Sequence, residues 1–188
     1  MFESGFPYSK LNKTKTSSIG KDILLFRHWY KFKTPKNVYL VWVEEYENDV
    51  LIIKFFLSSH QLSDRKFSFM SNEGLAPRII GTCVDILINE FMDRKHYSVG
   101  FVGNAGEEED TENTQRYRIY KQLVINSFSP TSFLHICNIN RSAYFLINKK
   151  KDVQQIKNLI DDQFNLRFES SNNFEDVLSD DTYINTSE

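Results

Sequence analysis

The sequence predicts an α+β domain in which a mostly antiparallel mixed sheet is flanked by helices. The segment at residues 24–33 shows the period-two alternation of a strand, and two largely apolar segments, at 38–45 and 50–57, predict the next two strands. Three stretches in its second half carry apolar residues at helical spacing, at residues 79–92, 114–126 and 152–164. Further apolar runs at 97–102 and 133–148 predict a buried strand and a hairpin. The order is therefore three or four strands, helix, strand, helix, two strands and helix, with a β-α-β-α-β crossover in the middle.

The N-terminal strands are bounded by residues that interrupt strand structure. Pro35 ends the first strand, and Glu47-Asn48-Asp49 forms a good hairpin turn between the second and the third. A fourth strand in this half is placed at residues 66–70. The second hairpin consists of strands at residues 133–139 and 143–148, which turn around Asn140-Arg141.

The helix starts follow from capping chemistry. Pro77 suits the first turn of the first helix, because the N–H that proline lacks would have no partner there. Thr114 is positioned to cap the second helix, and Asp152 the third. Arg116, Arg118 and Lys121 form a small basic patch on the second helix, which either meets a phosphate or balances the acidic loop before it.

The charge distribution predicts three regions along the chain. Residues 1–22 are rich in Ser, Thr and Lys and predict an irregular lead-in, and residues 23–168 form a single domain. The last 20 residues carry six carboxylates and no Lys or Arg, and predict a disordered acidic tail. Residues 1–168 carry 23 basic and 19 acidic residues, a net charge of +4. This charge is modest and scattered, so no nucleic-acid partner is predicted.

Cysteine content and hydropathy predict a cytoplasmic protein without a membrane partner. Cys83 and Cys137 are the only cysteines, so a disulfide framework is not implied. The start of the chain lacks a secretion leader, and no apolar run approaches the roughly 20 residues needed to cross a bilayer. The four histidines are widely separated, and the acidic loop at 107–112 lacks the ligand spacing of a calcium loop, so no metal site is predicted.

Two short patterns lie on the predicted helices. Arg78-Ile-Ile-Gly81-Thr-Cys83 opens the first helix, and Asn113 precedes Tyr120 by seven residues on the second. A helix N-terminus offers unpaired N–H groups and about half a positive charge, and both favour a phosphate oxygen. In the order of its elements and in these two patterns, the chain resembles the GNAT acyltransferase superfamily over residues 38–148. The corresponding patterns of that family are a [Q/R]-x-x-G-x-[G/A] loop and a helix with an Asn…Tyr pattern.

The resemblance implies an acyl-coenzyme A-binding protein that transfers an acyl group to an amine on a small molecule or a protein. The residues that would hold the coenzyme are Arg78, Gly81, Thr82, Cys83 and Asn113, although Cys83 departs from the family's small residue. Tyr120 would be the general acid, since a phenol of pKa ~10 can donate to a thiolate whose parent pKa is ~8.5. Glu44 or Glu45 would take the proton of the amine.

Each of these residues also has a structural interpretation. Arg78 would be a solvated first-turn residue, Gly81 a helix-packing position, and Asn113 part of a cap. Tyr120 would pack against the sheet, and Glu44 and Glu45 would be a solvated strand end. The second hypothesis is therefore a non-catalytic protein-interaction module that keeps the fold and binds a protein partner through its basic body or its acidic tail. The chain also resembles uncharacterised bacterial families without a known activity.

Overall fold

The computed structural model describes residues 5–15, 24–69, 71–92, 96–106 and 109–164, with no description of the side chains of residues 92, 163 and 164. The strands are β1 Tyr8–Lys15, β2 Leu24–Lys33, β3 Val38–Tyr46, β4 Val50–Leu57, β5 Ser98–Val102, β6 Phe133–Asn138 and β7 Ala143–Asn148. The helices are α1 Ala76–Leu87, α2 Gln115–Ser127 and α3 Val153–Phe164, and a π-helical turn, Ile88–Met92, extends α1. Within these ranges no helix is both long and apolar enough to cross a bilayer. The predicted acidic tail, 169–188, lies outside the described residues.

The described strands form one sheet in the order β1-β2-β3-β4-β5-β7-β6. The neighbours are antiparallel except β4 and β5, which are parallel. Residues 50–53 of β4 pair with residues 98–101 of β5, whereas residues 54–57 of β4 continue without a partner on β5. Because β5 ends at Val102, one residue after this pairing, β4 extends beyond β5 at their common carboxyl end.

The α+β class and the mostly antiparallel sheet are confirmed, with two corrections. The first is that β1 lies inside the lead-in predicted to be irregular, where it pairs antiparallel with β2. Seven of its eight residues are exposed, so it carries no buried apolar alternation that a sequence pattern could reveal.

The second correction concerns residues 66–70, where a strand was predicted. Residues 64–68 form turns, and Met70 lies outside the described residues. The carbonyl groups of Phe67 and Phe69 accept hydrogen bonds from the Arg116 side chain. A side chain on α2, rather than a neighbouring strand, therefore holds this backbone in place.

The helices cover the two faces of the sheet unequally. On one face, here called the α1–α2 face, α1 and α2 pack over the largest apolar cluster, which includes Val41, Val43, Leu51 and Ile53. On the opposite face, here called the α3 face, α3 packs over a smaller cluster that includes Ile52. A third apolar cluster, Leu40, Trp42 and Phe56, lies farther along the α3 face on β3 and β4.

Thr114 links the end of β5 to the start of α2. Its hydroxyl donates to the carbonyl of Gly103 at 2.8 Å and accepts from the backbone N–H of Tyr117 at 3.2 Å. We expect Thr114→Ala to lower the free energy of unfolding by about 1 kcal/mol, because the cap of α2 is lost. Urea denaturation measures this loss. Thr114→Ser, which retains the hydroxyl, should recover most of it, and equal loss in both variants would contradict the assignment of the cap.

Candidate functional site

A cavity of about 320 Å³ opens at the carboxyl end of β4, on the α1–α2 face. This volume lies at the lower end of the range for small-molecule sites, roughly 300–1,000 Å³. The loop that leads into α1, the first turns of α1 and α2, and aromatic side chains form its wall: Tyr39, Phe55, Phe69, Ser71, Asn72, Glu73, Gly74, Leu75, Ala76, Ile79, Ile80, Gln115, Arg116 and Ile119. Phe55 belongs to the part of β4 that has no partner on β5. The cavity thus lies beside the part of β4 that extends beyond β5.

The N-terminus of α1 forms one side of the cavity. The helix begins after Leu75, whose side chain cannot cap it, and Pro77 occupies its first turn. No acidic residue lies in that turn. The positive end of the helix dipole is therefore not offset by a carboxylate of the helix itself.

Arg116 brings a positive charge to the opposite side. Its guanidinium group donates to the carbonyl of Phe67 and to the carbonyl of Phe69, the latter at 2.6 Å. Among the described residues, no carboxylate forms an ion pair with Arg116. Two carbonyl dipoles meet its charge, and the same contacts fix the backbone of 67–69 as a wall of the cavity.

Glu73 anchors the loop that leads into α1. Its carboxylate accepts hydrogen bonds from the Thr34 hydroxyl at 2.9 Å and from the Asn37 amide at 2.7 Å, which ties the loop to the β2–β3 turn. Burial alone would raise the pKa of Glu73, but these bonds and one from Ser71 outweigh it and lower the pKa. Burial raises the pKa of the neighbouring Tyr39 phenol, which also bonds to Ser71. At neutral pH this rim presents one carboxylate that is already hydrogen-bonded and one neutral phenol.

Of the predicted coenzyme loop, Arg78, Gly81, Thr82 and Cys83 do not line this cavity, whereas Ile79 and Ile80 do. The guanidinium of Arg78 lies 4.1 Å above the ring of Phe6, from the segment before β1. The hydroxyl of Thr82 accepts from the Phe6 N–H at 2.8 Å and donates to the Arg78 carbonyl at 2.9 Å. A Cβ on Gly5 would lie 2.8 Å from the Cα of Thr82, so the N-terminal segment is packed directly on this part of α1. Gly81 is half-buried in the same stretch.

Cys83 and Asn113 have structural surroundings as well. Cys83 lies on α1 and its side chain is buried in the core, where burial raises the pKa of its thiol. Asn113 has a left-handed φ of 47°, and its N–H donates to the carbonyl of Ile139 at 3.1 Å. The N-terminus of α2 just after it is already occupied, because the Thr114 hydroxyl and the carboxylate of Glu109 accept from its first N–H groups.

Tyr120, the predicted acid, lies behind the cavity wall. Its ring packs against Phe55 at 6.1 Å and against Phe101 at 5.9 Å between centroids, and the residue is 6% exposed. Burial raises the pKa of its phenol. Of these two neighbouring rings, Phe55 lines the cavity and Tyr120 does not.

Glu44 and Glu45, the predicted bases, are both buried rather than forming a solvated strand end. Glu44 lies on the α3 face, where it binds Arg27 at 2.6 Å and Lys54 at 2.7 Å. Burial would raise its pKa, but these two cations outweigh that effect and lower it. Because Glu44 is on the opposite face of the sheet from α1, it does not reach the cavity.

Glu45 lies on the same face as the cavity but at the far end of β3. It binds the ring nitrogen Nε2 of His28 at 3.0 Å and accepts from the Tyr97 hydroxyl at 3.1 Å. Six residues separate it from Tyr39 along the strand, which corresponds to roughly 20 Å. It therefore supports a buried polar cluster on this face rather than the cavity.

The cavity is built instead from residues that the sequence patterns did not select. Tyr39 resembles any other aromatic strand residue, and Glu73 lies in a loop. Arg116 could have been selected from the sequence, because it belongs to the basic patch predicted on α2. The combination of a helix N-terminus, an arginine and aromatic walls suits an anionic ligand with an apolar part. Among the described residues, no group of three His, Cys, Asp or Glu side chains could hold a metal ion.

Comparison of the chain with models of protein families, with curated proteins and with solved structures found no match.

Proposed function

We propose that the chain is a GNAT-like acyl-coenzyme A-binding protein whose ligand enters the cavity at the carboxyl end of β4. The observation that carries the proposal is the position of the cavity. In sheets with parallel strands, ligands bind outside the carboxyl ends of those strands, at the place where neighbouring connections diverge. Here β4 extends beyond the end of β5 beside the cavity, and the N-terminus of α1, the helix that follows β4 in the chain, lines the same space.

The chemistry of the wall divides the ligand between two regions. Phe55, Phe69 and Ile119 offer an apolar surface for the acyl and pantetheine part. The N-terminus of α1 and the guanidinium of Arg116 favour the phosphates at the rim. A cavity of about 320 Å³ holds only part of a coenzyme A molecule, so its nucleotide lies outside.

The proposed function is binding, and it does not include acyl transfer through Tyr120. That phenol lies behind Phe55, and neither Glu44 nor Glu45 reaches the cavity. These positions favour the second hypothesis, a non-catalytic module that keeps the fold, as the alternative to coenzyme binding. The amine acceptor and the protein partner of the acidic tail remain predictions from the sequence.

Thermal unfolding with acetyl-coenzyme A tests the binding. Ligand at 100 times its Kd should stabilise the fold by about 2.7 kcal/mol, which for a domain of this size raises Tm by roughly 5–10 °C. Ala76→Phe places a ring at the cavity wall and should abolish the shift. Arg116→Gln should reduce it, whereas Arg118→Gln, a matched change of an exposed arginine on the same helix, should leave it intact.

Two results would contradict the proposal. If acetyl-coenzyme A and coenzyme A at millimolar concentration give no shift, the interaction module becomes the better interpretation. If the shift persists in Ala76→Phe, the coenzyme binds elsewhere. The unliganded Tm of each variant serves as the control for folding.

A further inference from the structure

The α3 face carries a second surface of distinct chemistry, on strands β2, β3 and β4. In one row across the strands, Trp29 pairs with Trp42, and Trp42 pairs with Lys54. Two residues along, Arg27 pairs with Glu44. We call this surface the aromatic–cationic face and define it by Arg27, Trp29, Trp42, Lys54, Lys66 and Phe67. Helix α3 packs over Ile52 and its neighbours, farther along the sheet.

Trp42 lies at the centre of this face. Its ring contacts the ring of Trp29 at 5.0 Å and that of Phe67 at 5.5 Å between centroids, both edge to face. Trp29 and Phe67 are partly exposed, whereas Trp42 is 9% exposed. The face therefore combines a rigid aromatic centre with two rings at its margin that solvent reaches.

Three cations cover the rings. The guanidinium of Arg27 lies 4.2 Å from the centre of the Trp42 ring, and the ammonium group of Lys66 lies 5.2 Å from it. The ammonium group of Lys54 lies 5.9 Å from the Phe67 ring. The side chains of Arg27 and Lys54 are 29% and 35% exposed, so solvent reaches both of them. Glu44 pairs with Arg27 and Lys54 but carries only one negative charge. Glu44 and the three cations, Lys66 included, therefore have a net charge of +2.

We propose that the aromatic–cationic face binds single-stranded nucleic acid. Aromatic rings on an open sheet stack against bases, and cations beside them contact phosphates. A protein partner fits less well, because protein interfaces are depleted of lysine and two of the three cations here are lysines. A duplex also fits less well, because its major groove admits a helix or a two-stranded ribbon but not a broad sheet.

This binding site differs from what the charge pattern of the sequence predicts. Arg27, Lys54 and Lys66 come from β2, β4 and the loop after β4, so they are scattered along the chain. Strand pairing and the packing of Phe67 bring them onto one aromatic cluster. The proposal does not depend on coenzyme binding, because the cavity lies on the other face of the sheet.

Intrinsic fluorescence of the full-length protein tests the proposal directly, because Trp29 and Trp42 are the only two tryptophans in the chain. Titration with single-stranded oligodeoxythymidylate at low salt should quench the emission. The logarithm of the association constant should fall with the logarithm of the salt concentration, with a slope of about −0.7 per phosphate contacted. A duplex of equal length and polyglutamate should compete weakly.

Matched variants decide which residues are responsible. Trp29→Ala should weaken binding about five-fold or more through lost stacking, with Trp42 as the remaining reporter. Lys66→Gln should weaken binding and reduce the salt slope by about 0.7. Lys149→Gln, a change of an exposed lysine on the turn after β7, should change neither. Circular dichroism melting of each variant confirms that it is folded.

Absence of quenching would overturn the proposal. It would also be overturned if Trp29→Ala, Lys66→Gln and Lys149→Gln bound the oligonucleotide with equal affinity. Equal binding of polyglutamate would also overturn it, since the face would then recognise an acidic peptide. Binding of the duplex with equal affinity would overturn it too, since the face would then recognise phosphate charge without stacking on bases.

Discussion

Gly103→Ala is expected to lower the free energy of unfolding by roughly 3 kcal/mol, the combined cost of overpacking and a lost helix cap. A Cβ at this position would lie 2.6 Å from the Thr114 hydroxyl oxygen and 2.6 Å from the backbone nitrogen of Tyr117. The second contact is with helix backbone, which cannot rotate away as a side chain does. The start of α2 must therefore move off the end of β5. Urea denaturation at neutral pH measures the loss.

The Thr114→Ala background separates the two contacts. Removing the hydroxyl relieves the clash with Oγ1 but leaves the clash with the Tyr117 nitrogen. Gly103→Ala should therefore remain destabilising in the double variant. If the double variant were as stable as Thr114→Ala alone, close approach of the backbone would not be the reason for glycine at 103.

The second large effect is a loss of stability in acid that originates at His135. This residue is buried on β6, with Nδ1 2.8 Å from the Tyr144 hydroxyl. Burial, helped by the charge of Lys149, lowers its pKa to about 4, from about 6.5 in the unfolded chain. The unfolded state therefore binds the proton more readily. The contribution of His135 to the free energy of unfolding is complete above pH 6.5 and is lost as the pH falls through 4. The loss amounts to about 3 kcal/mol.

Urea unfolding between pH 7 and pH 4 measures this loss. His135→Gln removes the titrating group and retains a hydrogen-bonding side chain, so its stability should depend less steeply on pH. Burial also lowers the pKa of His28, so part of the dependence should remain. His96→Gln, a change of an exposed histidine, is the matched control. An unchanged pH dependence in His135→Gln would show that His135 is not the source.

Most of the fold could be predicted because its elements are amphipathic and bounded by turn residues. The bounds of β4 were predicted to the residue, since an apolar run lies between Asp49 and the serines that follow Leu57. The bounds of β7 were predicted equally well. Strand β1 was missed because its residues face solvent, and pairing with β2 rather than burial makes it a strand.

The site was less predictable, because it depends on which side chains meet after folding. Arg78 and Thr82 match a phosphate-loop pattern, but the segment around Phe6 folds over them, and no local pattern encodes that contact. Glu44 and Glu45 were expected to be solvated or catalytic; instead Glu44 forms a buried ion pair with Arg27 on one face, and Glu45 a buried hydrogen bond with His28 on the other. Such pairs require partners from β2 and β4, which spacing along one strand does not reveal.

The four-residue parallel pairing of β4 with β5 has a consequence for how the protein folds. Strands β1 to β4 follow one another in sequence and join as a meander, which short loop closures can assemble. The pairing of Ile52 with Gly100 instead encloses the whole of α1 and depends on contacts far apart in sequence. Assembly of the sheet should therefore finish at this seam, and the cavity beside it takes shape only when the two halves have met.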